Sequence, residues 1–166
     1  KESDPTILLN EYAKQKFAAE SICSSSDSSL ILRTNIVGLR GWKQHTFAEW
    51  AIYSLKNNCK ITIFDDVWTS SIDTSSFAKA TIDSVINHEL KGLYNLGSSE
   101  VFSKADFILE LANQLNVNIE NVSRGSIFDC FNDRASSLGL DSSKIQNYLS
   151  WKLPGLNEVV KNLVTM

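Results

Sequence analysis

Short apolar runs that alternate with helical segments constrain the fold of this chain more than any other feature. Residues 30–37, Leu-Ile-Leu-Arg-Thr-Asn-Ile-Val, are mostly aliphatic or β-branched and end at Gly38, which predicts a buried strand. Residues 92–97 predict a second buried strand. Good helix formers at residues 5–23 and a polar, serine-rich break precede the first strand. Because a helix followed by a buried strand is typical of a parallel sheet, the sequence predicts an α/β fold.

Further helices and strands are predicted along the rest of the chain. Thr-Phe-Ala-Glu at residues 46–49 and Ser-Lys-Ala-Asp at residues 103–106 have the pattern of capping boxes, which predicts a helix start at each. The remaining predictions are a strand at residues 60–64, a loop at 65–75, a helix at 76–88, an extended piece near Ile119 and short helices at 143–148 and 156–164. No internal repeat or long linker interrupts this order, so we expect one compact α/β unit over residues 1–166.

Composition excludes several classes of function. The net charge is -3 and the lysines are spread along the chain, which argues against a nucleic-acid partner or a membrane surface and favours a small molecule. The three cysteines are widely spaced and have no histidine cluster beside them, so we expect neither a disulfide framework nor a metal site. Without an apolar run of membrane-spanning length or an export signal, the expected location is cytoplasmic.

Tyr12 and Lys16 are four residues apart in the first predicted helix, so they project from one face and can act as a unit. A tyrosine hydroxyl titrates at about pH 10 in water, and it is a poor acid at neutral pH unless a neighbouring cation stabilises the phenolate. Lys16 can supply that cation. The pair therefore predicts proton transfer coupled to hydride transfer, and an ordinary surface helix is the alternative.

Residues 4–20, DPTILLNEYAKQKFAAE, resemble the active-site helix of the extended short-chain dehydrogenase/reductases that act on nucleotide sugars. In that family Pro and Asn precede Tyr-x-x-x-Lys and Ala-Glu follows it. The Arg-Thr-Asn-Ile-Val-Gly segment at residues 33–38 is similar to the strand that follows the helix. Further matches continue in order at residues 64–78, 92–98, 103–107 and 133–144. Together they most resemble the dTDP-4-dehydrorhamnose reductase group.

The resemblance implies that the chain is the C-terminal part of a Rossmann-type reductase, with parallel strands, helices and a small substrate-binding subdomain. Residues 1–40 would complete the Rossmann part, and residues 41–166 would form mostly the substrate-binding part. No Gly-x-x-Gly-x-x-Gly phosphate loop follows a strand, so the glycine-rich cofactor half is expected to be missing. We therefore expect an N-terminal Rossmann half as a partner and an inactive chain on its own; a homodimer is also possible.

The resemblance further implies an activity and the residues that perform it. The activity is NADPH- or NADH-dependent reduction of a 4-keto-6-deoxy nucleoside-diphosphate sugar, in deoxysugar or polysaccharide biosynthesis. Tyr12 would protonate the carbonyl oxygen, and Lys16 would hydrogen-bond the nicotinamide ribose. Thr34 would contact the cofactor. Asn35 would bind the substrate by donating its amide to a carbonyl or phosphate oxygen, and Arg134 would bind the diphosphate.

Some of these assignments have structural alternatives. Asn35 can cap a turn at the end of its strand, and Arg134 can pair with Asp129 or Asp133. The chain also departs from the family pattern at four positions: Ile36, Ser71, Ser76 and Ala135. At these positions the family often has an aromatic residue, Pro, Asp and Pro, respectively. A nucleotide-sugar epimerase or dehydratase therefore stays open, as does a non-catalytic regulatory or binding subunit with the same fold.

Other residues of chemical interest have simpler interpretations. Asp65 and Asp66 are adjacent, so their carboxylates would point to opposite faces of a strand, and a role in a turn is favoured over a metal site. Trp68 can stack on a sugar but is more often a packed loop residue. His45 and His88 have no catalytic partner nearby in sequence and are expected to be surface or packing residues.

Overall fold

The computed structural model describes residues 1–129 and 136–165. The α-helices are α1 (Glu11–Cys23), α2 (Phe47–Lys56), α3 (Thr74–Ile82), α4 (Lys104–Leu115), α5 (Ser143–Gln146) and α6 (Leu156–Val164). The strands are β1 (Leu30–Thr34), β2 (Ile36–Val37), β3 (Ile61–Phe64), β4 (Trp68–Thr69), β5 (Ile72–Asp73), β6 (Gly92–Leu96), β7 (Phe102–Ser103), β8 (Val122–Gly125) and β9 (Ser137–Leu138). A π-helical turn at Asp83–Asn87 continues α3, and a 3-10 turn at Ile127–Asp129 follows β8.

Most strand pairs are parallel, which confirms the predicted α/β class. β1 pairs with β6, β2 with β5, and β3 with β8, each in parallel. β4 lies between β7, which is antiparallel to it, and β9, which is parallel. Helix α3 connects β5 to β6 and helix α4 connects β7 to β8, so the parallel pairs β1–β6 and β3–β8 are joined by long connections that contain helices.

The strand predicted at residues 30–37 is in fact two strands, because the chain changes partners at Asn35. β1 pairs with β6 up to Thr34, whereas β2 pairs with β5 from Ile36 onward. The carbonyl oxygen of Asn35 accepts a hydrogen bond from the backbone N–H of Ile72 at 2.9 Å, which begins the second pairing. Asn35 therefore lies at the C-terminal end of β1, the end at which parallel sheets bind ligands.

Two helices begin at residues other than those predicted, because their caps lie elsewhere. α1 begins at Glu11 instead of residue 5, since the side chain of Asn10 accepts a hydrogen bond from the N–H of Ala13 at 2.9 Å. α3 begins at Thr74 instead of residue 76, with Asp73 as its cap. The predicted capping boxes of α2 and α4 are confirmed.

Two extended segments also differ from the predictions. The predicted loop at residues 65–75 contains β4 and β5, each only two residues long and too short to show an apolar pattern. The extended piece predicted near Ile119 is β8, which begins at Val122 and is fixed by its pairing with β3. Both differences arise from pairing with strands that are distant in the sequence.

The core has two parts. The first lies between α2, β3, α4 and α6, and the second lies around β6, α3 and α5. The apolar face of α4 is buried, with Phe107, Ile108 and Leu111 exposed by 1%, 2% and 0%. Burial of each such side chain contributes about 1.5–3 kcal/mol. The tight packing of both parts holds the strand ends that form the cleft described below.

α1 differs from the other long helices because none of its residues is buried. Tyr12 is 68% exposed and Ile22 is 73% exposed. An ion pair between Glu20 and Arg33 of β1 attaches the helix to the sheet. The apolar side chains of α1 are therefore available for contact with something outside the described residues. Within those residues, no helix combines the length and apolar character needed to cross a membrane.

Candidate active-site cleft

A cleft of about 760 Å³ lies at the C-terminal ends of β1 and β6. Its lining includes the segment that leads into α1 and ends at Tyr12, and residues 136–140. Thr34, Asn35 and Asn95 also line the cleft. The volume is typical of pockets for small molecules, which measure about 300–1,000 Å³. A second cavity of about 480 Å³ adjoins the cleft and shares Gly139 and Leu140 with it.

Tyr12 and Lys16 lie on one face of α1, as predicted from their spacing. The Lys16 ammonium lies 5.5 Å from the centroid of the Tyr12 ring, within range of a cation–π contact. Tyr12 lines the cleft and Lys16 is exposed beside it. The neighbouring Lys14 instead forms an ion pair with Glu11 at 2.6 Å. The two lysines of this segment thus have different contacts, and only Lys16 contacts the tyrosine.

Two buried polar atoms at the cleft have no hydrogen-bond partner within the described residues. They are Oγ1 of Thr34, at the end of β1, and Oδ1 of Asn95, in β6. The side-chain nitrogen of Asn95 donates a hydrogen bond to the backbone oxygen of Asp141 at 3.2 Å, so only the side-chain oxygen of Asn95 lacks a partner within the described residues. An unpaired buried polar group costs about 1–3 kcal/mol, so such atoms indicate a place where a ligand or water binds.

The side chain of Asn35 is held by a neighbouring hydroxyl. Its Nδ2 donates a hydrogen bond to Oγ1 of Thr69 at 2.8 Å, and Oγ1 of Thr69 lies 2.9 Å from Oγ of Ser71. Thr69 and Ser71 are each 1% exposed. Asn35 therefore faces the cleft from a fixed position. Its predicted role in substrate binding is compatible with this position and stays a prediction.

Arg33 of the matched strand also lines the cleft, and its guanidinium is paired with a carboxylate of α1. Its guanidinium donates to both carboxylate oxygens of Glu20, with Nε at 2.8 Å and Nη2 at 2.6 Å, and Nη2 also donates to Oγ1 of Thr6 at 3.3 Å. The hydrogen bond to Glu20 raises the pKa of Arg33 above its usual value. The same pair ties α1 to β1, so it holds Tyr12 beside the strand ends.

Arg134 lies outside the described residues, and so do Cys130, Asp133 and Ala135. Both interpretations of Arg134, a diphosphate ligand or a salt bridge, therefore stay predictions. Cys23 and Cys59 are free thiols. The described ranges contain no group of three or more His, Cys, Asp or Glu that could hold a metal ion.

The adjacent carboxylates have structural roles, as predicted. Asp65 forms an ion pair with Arg124. Asp66 accepts hydrogen bonds from the hydroxyl of Ser126 and the N–H of Ile127, and the Ser126 bond lowers the pKa of Asp66 below its usual value. Asp65 thus joins the end of β3 to β8 itself, and Asp66 joins it to the chain just beyond β8.

The two histidines, which the sequence predicts to be surface or packing residues, are both exposed side chains that contact an aromatic ring. His45 packs against Tyr53 with ring centroids 5.8 Å apart, and His88 packs against Tyr148 at 6.0 Å. Trp68 belongs to β4 and is 43% exposed, so it is a strand residue and not a loop residue.

Sequence reasoning missed Asn95, which lines the cleft, and the hydroxyl pair of Thr69 and Ser71, which holds Asn35. The sequence indicated no function for these three residues, because their contacts join segments that are distant in the chain. A signal for Ser71 was present in its departure from the family's Pro. Asn95 carried no such signal, and only the pairing of β6 with β1 brings it to the cleft.

No protein-family model and no curated protein matches this sequence. Among solved structures, the chain is similar to a dTDP-4-dehydrorhamnose reductase from Clostridium acetobutylicum ATCC 824, with a TM-score of 0.81 and 16% identity over 99% of this chain. The dTDP-4-dehydrorhamnose reductase from Bacillus anthracis str. Ames in complex with NADP matches with a TM-score of 0.80 and 17% identity over 99% of this chain. The chain has the fold of these reductases. The resemblance stated from the motifs is confirmed as a likeness in fold.

The reductase fold extends to related sugar-nucleotide enzymes. A dTDP-glucose 4,6-dehydratase from Bacillus anthracis str. Ames in complex with NAD matches with a TM-score of 0.71 and 15% identity over 97% of this chain. This chain covers 58% of the length of each reductase and 54% of the dehydratase. The remaining part of each neighbour has no counterpart in the 166 residues.

Proposed function

We propose that the protein containing this chain is an NADPH- or NADH-dependent reductase of a 4-keto-6-deoxy nucleoside-diphosphate sugar. The observation that carries this proposal is the position of Tyr12, which lines a cleft at the ends of two parallel strands with the Lys16 ammonium beside its ring. The fold shared with a reductase crystallised with NADP supports the same proposal.

The proposed chemistry needs a proton donor beside the sugar ketone. NADPH or NADH, when bound, supplies the hydride. Addition of the hydride to the carbonyl carbon leaves negative charge on the oxygen, and the Tyr12 hydroxyl donates its proton there, so that the ketone becomes an alcohol. Tyr12 is left as a phenolate, which the Lys16 ammonium stabilises. A proton from solvent restores the Tyr12 hydroxyl after the product leaves.

The described residues fit one end of a nicotinamide cofactor. The buried Thr34 hydroxyl has no hydrogen-bond partner within the described residues, so it can bind a polar group of the cofactor. The Lys16 ammonium can donate a hydrogen bond to a ribose hydroxyl. A glycine-rich phosphate loop is missing from the sequence, so these residues alone do not fit the diphosphate end. We therefore assign Thr34 and Lys16 to the nicotinamide end only.

We further propose that an N-terminal Rossmann half covers α1 and the free edge of β1. Ile7, Tyr12 and Ile22 are exposed by 77%, 68% and 73%, and β1 pairs only with β6 among the described residues. A parallel strand normally has neighbours on both sides, with helices covering both faces of the sheet. On this proposal residues 1–40 complete the Rossmann part, and the 166 residues alone bind cofactor poorly and turn nothing over.

The test measures NADPH oxidation in the longest natural form of the protein with a 4-keto-6-deoxy nucleotide sugar. Loss of a general acid lowers the rate by about 10²–10⁴-fold, so Tyr12→Phe is expected to lower kcat by that factor. Lys16→Met is expected to lower kcat as well. Lys14→Met is the matched control, because Lys14 lies on the same helix but pairs with Glu11.

Three outcomes would contradict these proposals. Equal rates for the wild type and Tyr12→Phe would exclude Tyr12 as the acid. Equal losses for Lys14→Met and Lys16→Met would exclude a specific role for Lys16. Robust NADPH oxidation by the 166-residue chain alone would contradict the proposed N-terminal half.

The likeness to a dehydratase crystallised with NAD favours one second candidate, a nucleotide-sugar dehydratase or epimerase. Such an enzyme has no net consumption of cofactor, because the hydride returns to the substrate. A second assay, which supplies a 4-hydroxy nucleotide sugar and NAD, separates the two candidates, because a dehydratase or epimerase begins by oxidising the sugar: product formed without accumulation of NADH supports the dehydratase or epimerase. Cofactor binding without any product supports a non-catalytic subunit.

A further inference from the structure

Asn35 is held on two sides by one short segment. Its backbone oxygen accepts a hydrogen bond from the N–H of Ile72 at 2.9 Å, and its side-chain Nδ2 donates to Oγ1 of Thr69 at 2.8 Å. Residues 69–72 connect β4 to β5 and are buried. The amide of Asn35 therefore cannot rotate without losing its hydrogen bond to a buried hydroxyl.

The Thr69 hydroxyl is in turn paired with Ser71, whose Oγ lies 2.9 Å away. A hydroxyl has a single hydrogen to donate. When Thr69 donates that hydrogen to Ser71, its oxygen can only accept from Asn35, so the amide nitrogen faces Thr69. Without Ser71, the Thr69 hydroxyl can donate its hydrogen to Oδ1 of Asn35 instead, and the side-chain amide of Asn35 can then flip.

This arrangement leaves the amide oxygen of Asn35 available in the cleft. Oδ1 of Asn35 accepts no hydrogen bond from the described residues, yet it is not among their buried unpartnered atoms, so it is accessible. Asn35 itself lines the cleft together with Tyr12. An amide oxygen accepts hydrogen bonds and cannot donate one.

We infer that Thr69 and Ser71 are positioning residues that hold Asn35 with its amide oxygen toward the cleft, where it accepts a hydrogen bond from a hydroxyl of the bound sugar. The inference rests on the proposed function and adds a requirement on the substrate. A sugar hydroxyl can donate to this oxygen, whereas a phosphate oxygen or a keto oxygen cannot. The contact at Oδ1 is therefore with a hydroxyl-bearing part of the substrate.

The first test needs no ligand, because it measures the orientation of the amide. In ¹⁵N-edited NOE spectra of the wild type, the side-chain amide hydrogens of Asn35 are expected to give cross-peaks to the side chain of Thr69. In Ser71→Ala these cross-peaks are expected to weaken. Ser84→Ala is the matched control, since Ser84 is 0% exposed and its hydroxyl donates to Ala80 in the α3 region, outside the cleft lining. Absence of the cross-peaks in the wild type would overturn the inference.

The second test measures kinetics with the 4-keto-6-deoxy nucleotide sugar. Loss of one well-oriented hydrogen bond costs about a tenfold change in affinity, so Ser71→Ala and Thr69→Val are expected to raise KM about tenfold with little change in kcat. Thr69→Ser keeps the hydroxyl and is expected to restore KM, which separates positioning from a folding defect. Ser84→Ala is expected to keep the wild-type KM.

The outcomes distinguish the inference from the proposed function. Wild-type turnover with unchanged KM in both Ser71→Ala and Thr69→Val would overturn the inference and leave the reductase proposal intact. A wild type that reduces no sugar would refute the reductase proposal, and the NOE spectra would still decide whether the hydroxyl pair sets the orientation of Asn35.

Discussion

Replacement of Gly97 by alanine tests the packing at the base of the cleft. A Cβ at this position would lie 2.5 Å from the backbone oxygen of Ser70 and 2.7 Å from its Oγ. A backbone oxygen cannot rotate away, so the two segments must separate. Overpacking of this kind costs about 1–3 kcal/mol.

The separation would also strain hydrogen bonds between three segments of the chain. The Ser70 backbone oxygen accepts from the N–H of Ser98, the Ser70 hydroxyl accepts from the N–H of Leu140, and the Gly97 N–H donates to Ser142, each at 2.9 Å. Loss of one buried bond adds about 1 kcal/mol. The expected destabilisation by Gly97→Ala is therefore about 2–4 kcal/mol.

Urea unfolding followed by tryptophan fluorescence measures this loss. With a slope of about 2 kcal/mol per molar urea, the midpoint is expected to fall by about 1–2 M. Gly92→Ala is the control, since Gly92 begins β6, the strand that Gly97 directly follows, and its added Cβ meets nothing within 4 Å. Gly92 has a φ of 88°, so its replacement still costs about 1–2 kcal/mol. A Gly97→Ala protein no less stable than Gly92→Ala would refute the packing argument.

Two further predictions concern charged residues. Arg33→Lys replaces the two-bond contact with Glu20 by a single point charge, and urea unfolding is expected to show a free energy of unfolding lowered by about 1–2 kcal/mol. The control is Arg124→Lys, in the exposed pair with Asp65, which is expected to change the free energy of unfolding by less than about 0.5 kcal/mol. Equal effects of the two variants would contradict the structural role of the Arg33–Glu20 pair. The Glu49 carboxylate accepts hydrogen bonds from the backbone N–H groups of Thr46, Gly41 and Arg40. These bonds, and the one from Thr46 most of all, lower the pKa of Glu49 from 4.5 to about 2. The ionised form is favoured in the folded state, so its stabilisation is present above pH 4.5 and is lost as pH falls toward 2. Glu49→Gln is expected to be less stable at pH 7 and to show a weaker loss between pH 4.5 and 2 in acid titrations of unfolding; an unchanged pH profile would contradict this assignment.

The features that the sequence predicted correctly depend on residues close together in the chain. The caps of α2 and α4 lie within four residues, so Thr46 with Glu49 and Ser103 with Asp106 identify the helix starts directly. Tyr12 and Lys16 share a face because helical spacing alone requires it. These parts of the fold and of the candidate site needed no knowledge of the tertiary structure.

The features that the sequence did not predict depend on pairing across long distances. Asn35 separates two strands only because β2 pairs with β5, which residues 30–37 do not encode by themselves. The same pairing brings Thr69 and Ser71 to Asn35. Hydroxyl side chains in a short polar stretch resemble a loop, and their role becomes visible only when the partner strand is known.

Stability and chemistry depend on different segments around the cleft. Residues 69–71 hold Asn35 and also accept hydrogen bonds from the N–H groups of Ser98 and Leu140, so a disturbance there affects both the packing and, on the proposed function, the binding of the sugar. Tyr12 lies on a helix without buried residues, and removal of its hydroxyl breaks no hydrogen bond within the described residues. Gly97→Ala is therefore expected to weaken substrate binding and stability together, whereas Tyr12→Phe is expected to lower turnover at unchanged stability. Parallel losses of stability in both variants would contradict this division between the two segments.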